Sequence, residues 1–482
     1  MSGNAVQIAV FIGLTALIGF ATWLTCRQPR AHAADDNKDY FLAGGSLSWI
    51  YIAGSITLTN LSTDQLVGMN GKQMLLIAWW EFAAVTGLII LAYVFLPLYY
   101  KHRCTTTTEL LEKRLGGANG GKALRALISG LFLTAGVLIY LPIMLYTGSL
   151  FMQSMFNIDA PLILIAAVFA AVGAAYAIFG GLRAVAVSDT YSGVGLLGLG
   201  LLVVFLSFKA IDFDLSGIPA ERLTLIGADG SEIPWKTLFT GMIFIQIFYW
   251  SFNQTITQRA MAAPSIAEAR KGVLAAAGVR LLIVPLLIAG PGIASYKLFG
   301  ELGDAAYGQM VAAVLPSWLS GAFAAMMAAA VLTSFNSALN SAAALYVCDI
   351  HERFFEPNVH VRKIATFLTI LLVGVAVGLV TLYQNATSII DLVQQLNGLL
   401  SMPILSAFFV AIFFRNVAPY AAAAAVVFGV VGYGILSFYI GAVHYIHTML
   451  FILIACIAFA LAVNRIVFGR RAKFTFDDFQ SK

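Results

Sequence analysis

The chain has 482 residues, of which 60% are hydrophobic and 11% charged, and its mean hydropathy is +0.88. A soluble domain carries roughly 25% charge, so two or three soluble domains are excluded and lipid is the expected solvent. The net charge of +5 includes no long basic run, and Cys26, Cys104, Cys348 and Cys456 have neither CxxC nor metal spacing. A nucleic-acid partner, a disulfide framework and a zinc site are therefore not expected.

A bilayer core of about 30 Å takes about 20 apolar residues per helix. In chain order that ruler predicts spans near 5–25, 45–70, 74–98, 123–153, 160–180, 188–208, 237–257, 272–297, 319–347, 364–385, 389–414, 418–441 and 446–467. These are about 13 transmembrane helices, and the Lys and Arg distribution tests the count, because cytoplasmic loops are enriched in both. With the N-terminus outside, 22 of the 28 basic residues fall inside, Arg125 and Arg259 among them. Five fall outside (Lys72, Lys209, Arg222, Lys236, Lys297), and Arg280 lies within a span. An N-terminus outside and a C-terminus in the cytoplasm are expected.

The second span carries Asn60, Ser62, Thr63, Asp64 and Gln65 at membrane depth, and the seventh carries Ser251, Asn253 and Gln254. Lipid does not tolerate such runs, so both must face protein or a watery cavity. Interruptions five spans apart suggest two inverted five-helix units, with substrate bound where the broken helices meet. The alternative is that these residues are interhelical glue. The units read as 1–38 (an extra helix and loop), 39–209 (first repeat), 210–235 (extracellular loop), 236–415 (second repeat) and 416–482 (two helices and a tail).

Glu81, after Ala78-Trp79-Trp80 in the third span, is too deep to stand alone, and a carboxylate suits vicinal hydroxyls. Trp80, Tyr249 and Trp250 offer flat faces to a sugar ring, although singly such rings are usually packing. In the ninth span Ala330, Thr333, Ser334 and Ser337 share one helix face, and a hard cation wants such oxygens. A small-polar stripe alone is also ordinary packing. HExxH, GxSxG and paired intramembrane carboxylates are not found, and His32, His102, His351, His360, His444 and His447 fall in loops or at span edges. An enzyme is not expected, and two breaks around one pocket suit a carrier better than a channel.

DYFLAGGSLSW, TNLSTDQLVGMNG, GGLRAVAVSD (180–189), FYWSFNQTITQR (248–259) and AAAVLTSFNSALNS (328–341) together resemble the sodium/solute symporter family, which includes bacterial sodium/galactose and sodium/sialic acid symporters. The resemblance runs from about 39 to 415. It implies an all-α polytopic membrane protein with a LeuT-like five-plus-five inverted repeat in spans two to eleven. The implied setting is a bacterial plasma (inner) membrane. Val187, Ser188 and Ser192 stand where the family often has Trp, Thr and Gln, which indicates a divergent sugar branch.

The resemblance also implies ligands. Sodium would bind backbone carbonyls of Leu58, Leu61 and Ala330 and the hydroxyls of Thr333 and Ser334. A second sodium would use Asp189, Asn336 (a serine in some members) and Ser337; otherwise Asp189 is a helix cap. Substrate contacts fall on Asn60, Gln65, Glu81, Tyr146, Gln246, Trp250, Arg280 and Gln394, with Tyr249 as an inner gate. The family residue can be Asn at Gln246, Lys at Arg280 and Ser at Ala84. An alternative for Arg280 is simply to pair with Glu81. Sialic acid members use an Arg in the third helix of the repeat, where this chain has no charge after Arg125. The expectation is sodium-coupled symport of a small neutral sugar by alternating access. Sialic acid, another organic solute, or a transport-like membrane sensor are the alternatives.

Overall fold

The structure is a computed structural model, which describes residues 3–26, 41–61, 63–116, 120–156, 158–355, 361–384, 389–441 and 443–476. Arg27, Arg30, His32, Lys38, Asp39, Tyr40, Ser62, His360 and Lys482 lie outside the described residues, as does the boundary expected at 38/39. Ten described helices are long and apolar enough to cross a membrane. The expected second, fifth and seventh spans fall on shorter or broken helices.

Helix α1 (Gly3–Cys26) turns Ile8, Ile12, Leu17, Phe20 and Trp23 outward, as a lipid-facing helix does. The first broken span is α2 (Trp49–Asn60) followed by α3 (Thr63–Gly71). It breaks because Leu61 leaves the helical region at φ −80°, ψ 58°. The third span contains α4 (Trp79–Ile90), and the fourth contains α5 (Lys122–Ala135) and α6 (Leu141–Phe156). A π-helical turn, Gly136–Tyr140, joins α5 to α6.

Helix α7 (Leu162–Ala210) is one helical run of 49 residues, where two spans and a loop are expected. A straight run of that length would reach about 74 Å, more than twice the bilayer core. It is not straight. Tyr176 Oη donates to Ala184 O at 2.9 Å, although residues eight apart sit about 12 Å apart along a straight helix. Gly173 also abuts Phe335 and Asn336, while Asp189 lies beside Thr333, on adjacent turns of one helix. The run therefore folds back between Tyr176 and Ala184, giving the two expected arms.

The second broken span is α8 (Gly241–Ser251) followed by α9 (Gln254–Met261). Asn253 is extended and its side chain accepts from Thr255 N at 2.9 Å, capping α9. Then follow α10 (Ile266–Leu282), α11 (Val284–Phe299), α12 (Ser317–Ala344), α13 (Val361–Tyr383), α14 (Ile389–Phe413), α15 (Pro419–Gly434) and α16 (Tyr445–Ile466). The two halves exchange partners: α2 packs on α10 while α8 packs on α4, and α6 packs on α13 while α7 packs on α12. That reciprocity is the inverted repeat. One departure from an all-α chain is a two-residue strand pair, Phe414–Arg415 with Lys473–Phe474, which ties the tail to α14.

Candidate functional site

The two breaks face one cavity of about 80 Å³, lined from α2, α3, α4, α8 and α14 and by Tyr140 and Met144. Asn60, Gln65, Glu81, Gln246, Tyr249, Trp250 and Gln394 all line it. Glu81 is buried with both oxygens engaged: Gln65 Nε2 donates to Oε1 and Arg280 Nη1 to Oε2. Arg280 stands behind the wall rather than on it. Its Nη2 donates to Thr57 O at 3.3 Å, and its guanidinium lies 4.5 Å from the Trp250 ring centre. The Asn60 carboxamide, turned to satisfy its neighbours, accepts from Arg280 Nη1 at 2.9 Å and donates to Tyr249 Oη at 2.5 Å. Trp250 Nε1 donates to Gln246 Oε1 at 2.9 Å, and Gln246 Nε2 to Trp80 O at 3.2 Å. Each of these side chains is tied to another, so the site is pre-shaped.

Some placements differ from expectation. Tyr146 is buried on α6 but is not among the residues lining the cavity; Tyr140, about two turns earlier, takes that place. Asp64 also lines the cavity, so Glu81 is not the one carboxylate on its wall. Asn397 lines it as well, and the Tyr140 hydroxyl donates to Asn397 Oδ1. The signal for Asp64 was its place in the first break, beside Gln65. Tyr140 and Asn397 carry no such signal, because an isolated Tyr or Asn in a span reads as packing.

The proposed sodium ligands lie together where α12 crosses the first break, and Leu58, Leu61, Ala330, Thr333 and Ser334 are all buried. Ser334 Oγ donates to Thr59 O at 3.3 Å and Thr333 Oγ1 to Ala330 O at 3.3 Å. Ser334 thus reaches a carbonyl of the first break, Thr59 O, while Thr333 bonds back within α12. This all-oxygen group fits a hard cation.

The proposed second sodium group holds a resident cation. Arg259, expected in a cytoplasmic loop, is completely buried at the end of α9. Its Nε donates to Ser55 Oγ at 2.6 Å, Nη2 donates to Ser337 Oγ, and Nη2 lies 3.8 Å from Asp189 Oδ2. Ser55 Oγ donates to the same Asp189 oxygen at 2.5 Å. Asn336 is buried, and neither of its side-chain polar atoms has a hydrogen-bond partner. The sequence misleads here because an Arg closing a polar run before a Pro-containing loop looks like positive-inside charge. Arg125 differs similarly: it is buried and pairs with Asp349 at 2.5 Å and Glu112 at 2.7 Å.

At the other mouth Lys72 Nζ pairs with Glu232 at 2.8 Å and Asp391 at 2.5 Å. Asp304, in a short loop turn, accepts from Ile389 N at 3.3 Å. Burial raises the Asp304 carboxyl from its ordinary value to about 6.

Comparison with known proteins agrees with this architecture. Residues 40–429 match the sodium:solute symporter family. The chain is 34% identical to an uncharacterized symporter, YidK, of Escherichia coli K12, over 98% of this chain and 86% of that protein. It is 28% identical to the sodium/glucose cotransporter of Vibrio parahaemolyticus, over 85% of this chain and 81% of that one. It is 27% identical to rat sodium/myo-inositol cotransporter 2, over 74% and 57%. Among solved structures, a Na+-coupled sialic acid symporter in a substrate-bound outward-open state superposes with a TM-score of 0.82 at 18% identity, over 98% of this chain and 99% of that chain.

Proposed function

The chain belongs to the sodium:solute symporter family, and from that premise we propose that it carries a small neutral polyhydroxylated solute, a sugar or cyclitol, with one sodium ion. It is a multi-pass membrane transport protein and not an enzyme. The observation that carries the substrate reading is the charge of the cavity wall. The lining residues include two carboxylates, Asp64 and Glu81, and no Lys or Arg. Arg280, behind the wall, is held by Glu81, Thr57 and Asn60. An anionic solute would meet two carboxylates and no uncommitted cation on the wall, whereas hydroxyls meet acceptors, amides and aromatic faces. The glucose and myo-inositol cotransporters among its relatives support the same class.

Leu58, Leu61, Ala330, Thr333 and Ser334 are the proposed sodium ligands. They release the ion when the first break and α12 separate during alternating access. The proposed setting is a bacterial inner membrane with the N-terminus outside, and a Gly230→Cys variant should then react with impermeant thiol reagents only from outside.

The deciding experiment is uptake into proteoliposomes under an inward sodium gradient, screened over hexoses, pentoses, myo-inositol and sialic acid. Sodium-driven accumulation of a neutral member supports the reading. Accumulation of sialic acid alone would overturn it, and sugar binding without any flux would leave a sensor instead.

A further inference from the structure

A second cavity, of about 50 Å³, lies on the α9 side of the first and is walled by Phe132, Gln254, Ala338 and their neighbours. Thr59, Tyr140, Met144 and Tyr249 line both cavities, so these four side chains are the partition between them. Two are tyrosines, and each is tied to an asparagine of the opposite repeat. Tyr249, in the second repeat, accepts from Asn60 of the first. Tyr140, in the first repeat, donates to Asn397 of the second.

We propose that Tyr140, latched by Asn397, is a second leaf of the barrier beneath the solute cavity and shares the gating role with Tyr249. The inference rests on the transport reading above. Three observations support it. The ring stands between the cavities, so its removal joins them. The latch crosses the repeat interface, where rocking of one repeat against the other must break it. Tyr140 closes the π-helical turn Gly136–Tyr140, and such turns are local irregularities at which a helix reorients at low cost. Asn397 Nδ2 also approaches Gln394 Oε1 at 3.5 Å. Solute drawing on Gln394 therefore pulls at the residue that holds the latch.

The test reads the barrier directly and does not depend on which solute is carried. Ala338, buried on the wall of the second cavity, is replaced by Cys in the full chain. Its reaction with an impermeant thiol reagent is then timed from each face of the membrane, against the same chain without that cysteine. Tyr140→Phe keeps the ring and removes the latch. It should speed labelling from the face opposite α9, from which the reagent must pass the solute cavity and the partition, about tenfold, the scale of one neutral hydrogen bond. Asn397→Ala should match it, and the double variant should add nothing further, because both changes remove one interaction. Tyr140→Ala, which removes the ring as well, should raise sodium leak in the absence of solute. Wild-type labelling rates in both single variants, or additive effects in the double, would overturn the latch. If labelling responds but no solute in the panel is accumulated, the gate stands and the transport reading falls.

Discussion

Asp189 Oδ2 and Arg259 Nη2 face each other at 3.8 Å, with Ser55 Oγ bonded to both residues. A guanidinium fixed in the chain cannot leave with the solute, so the charge opposite Asp189 is permanent rather than imported. One transported sodium per cycle is the expected outcome. In proteoliposomes the sodium-dependence of uptake should have a Hill coefficient near one, and the zero-flux potential should give one sodium per neutral solute. A measured ratio of two would return Asp189, Asn336 and Ser337 to the role of ion ligands. Arg259→Gln should destabilise the protein by about 3–5 kcal/mol, since it leaves a buried carboxylate without its partner.

Thr333 and Ser334 supply the two side-chain oxygens of the proposed sodium site. A cation cannot shed water without replacement oxygens, so Thr333→Ala with Ser334→Ala should abolish sodium-driven accumulation in a protein that still folds. Coupling is reciprocal: in the wild type sodium should raise solute affinity, and solute should raise sodium affinity by the same factor. Calorimetric titration of each in the presence of the other checks both statements. Intact sodium dependence in the double variant would rule this site out.

The breaks were legible because membrane depth makes polar residues conspicuous: Asn60, Gln65 and Gln254 stand out against apolar neighbours. Glu81 was legible for the same reason. Arg259 was not, because an Arg at the end of a span and an Arg buried by folding back have the same local sequence. Tyr140 and Tyr146 cannot be told apart from the sequence, since they lie six residues apart in one span and the π turn that ends at Tyr140 shifts which of them faces the cavity. The reversal inside α7 is legible as the gap between the fifth and sixth expected spans. The pairing of Arg280 with Glu81, 199 positions away, is one of the two sequence readings of Arg280, because each is a lone charge at membrane depth. No local pattern encodes the pairing of Tyr140 with Asn397, 257 positions away.

Asp304 should leave a pH signature at the mouth that Lys72 and Asp391 share. Its folded pKa of about 6 lies above the unfolded value near 3.9, so the native state holds the extra proton between those values. Stability from this group is thus present at low pH, is lost as pH rises from about 4 to 6, and is flat above. Relative to wild type, Asp304→Asn should gain on the order of 2 kcal/mol across that window, after allowance for partial exposure. Thermal unfolding in detergent from pH 4.5 to 7.5 reads the difference. A gap between the two proteins that narrows or stays constant with rising pH would contradict the assignment.

Glu81 is both counter-ion to Arg280 and part of the cavity wall, and the two roles separate experimentally. Its oxygens are engaged by Gln65 and Arg280, but a carboxylate has about four acceptor directions, which leaves room for a solute hydroxyl. Glu81→Gln keeps the shape and loses charge assistance, at a cost of about 1.5–3 kcal/mol, or roughly 10- to 100-fold in affinity. The loss should be largest for the sugar that keeps the contacted hydroxyl and smaller for the matching deoxy analogue. Sodium binding without solute should survive, because its proposed ligands lie on α12 and at the first break. If neutralising Arg280 were its whole role, the variant would lower the unfolding temperature and weaken every analogue by the same factor. Binding across a sugar and its deoxy series therefore decides the matter, and equal loss along the series would remove Glu81 from recognition.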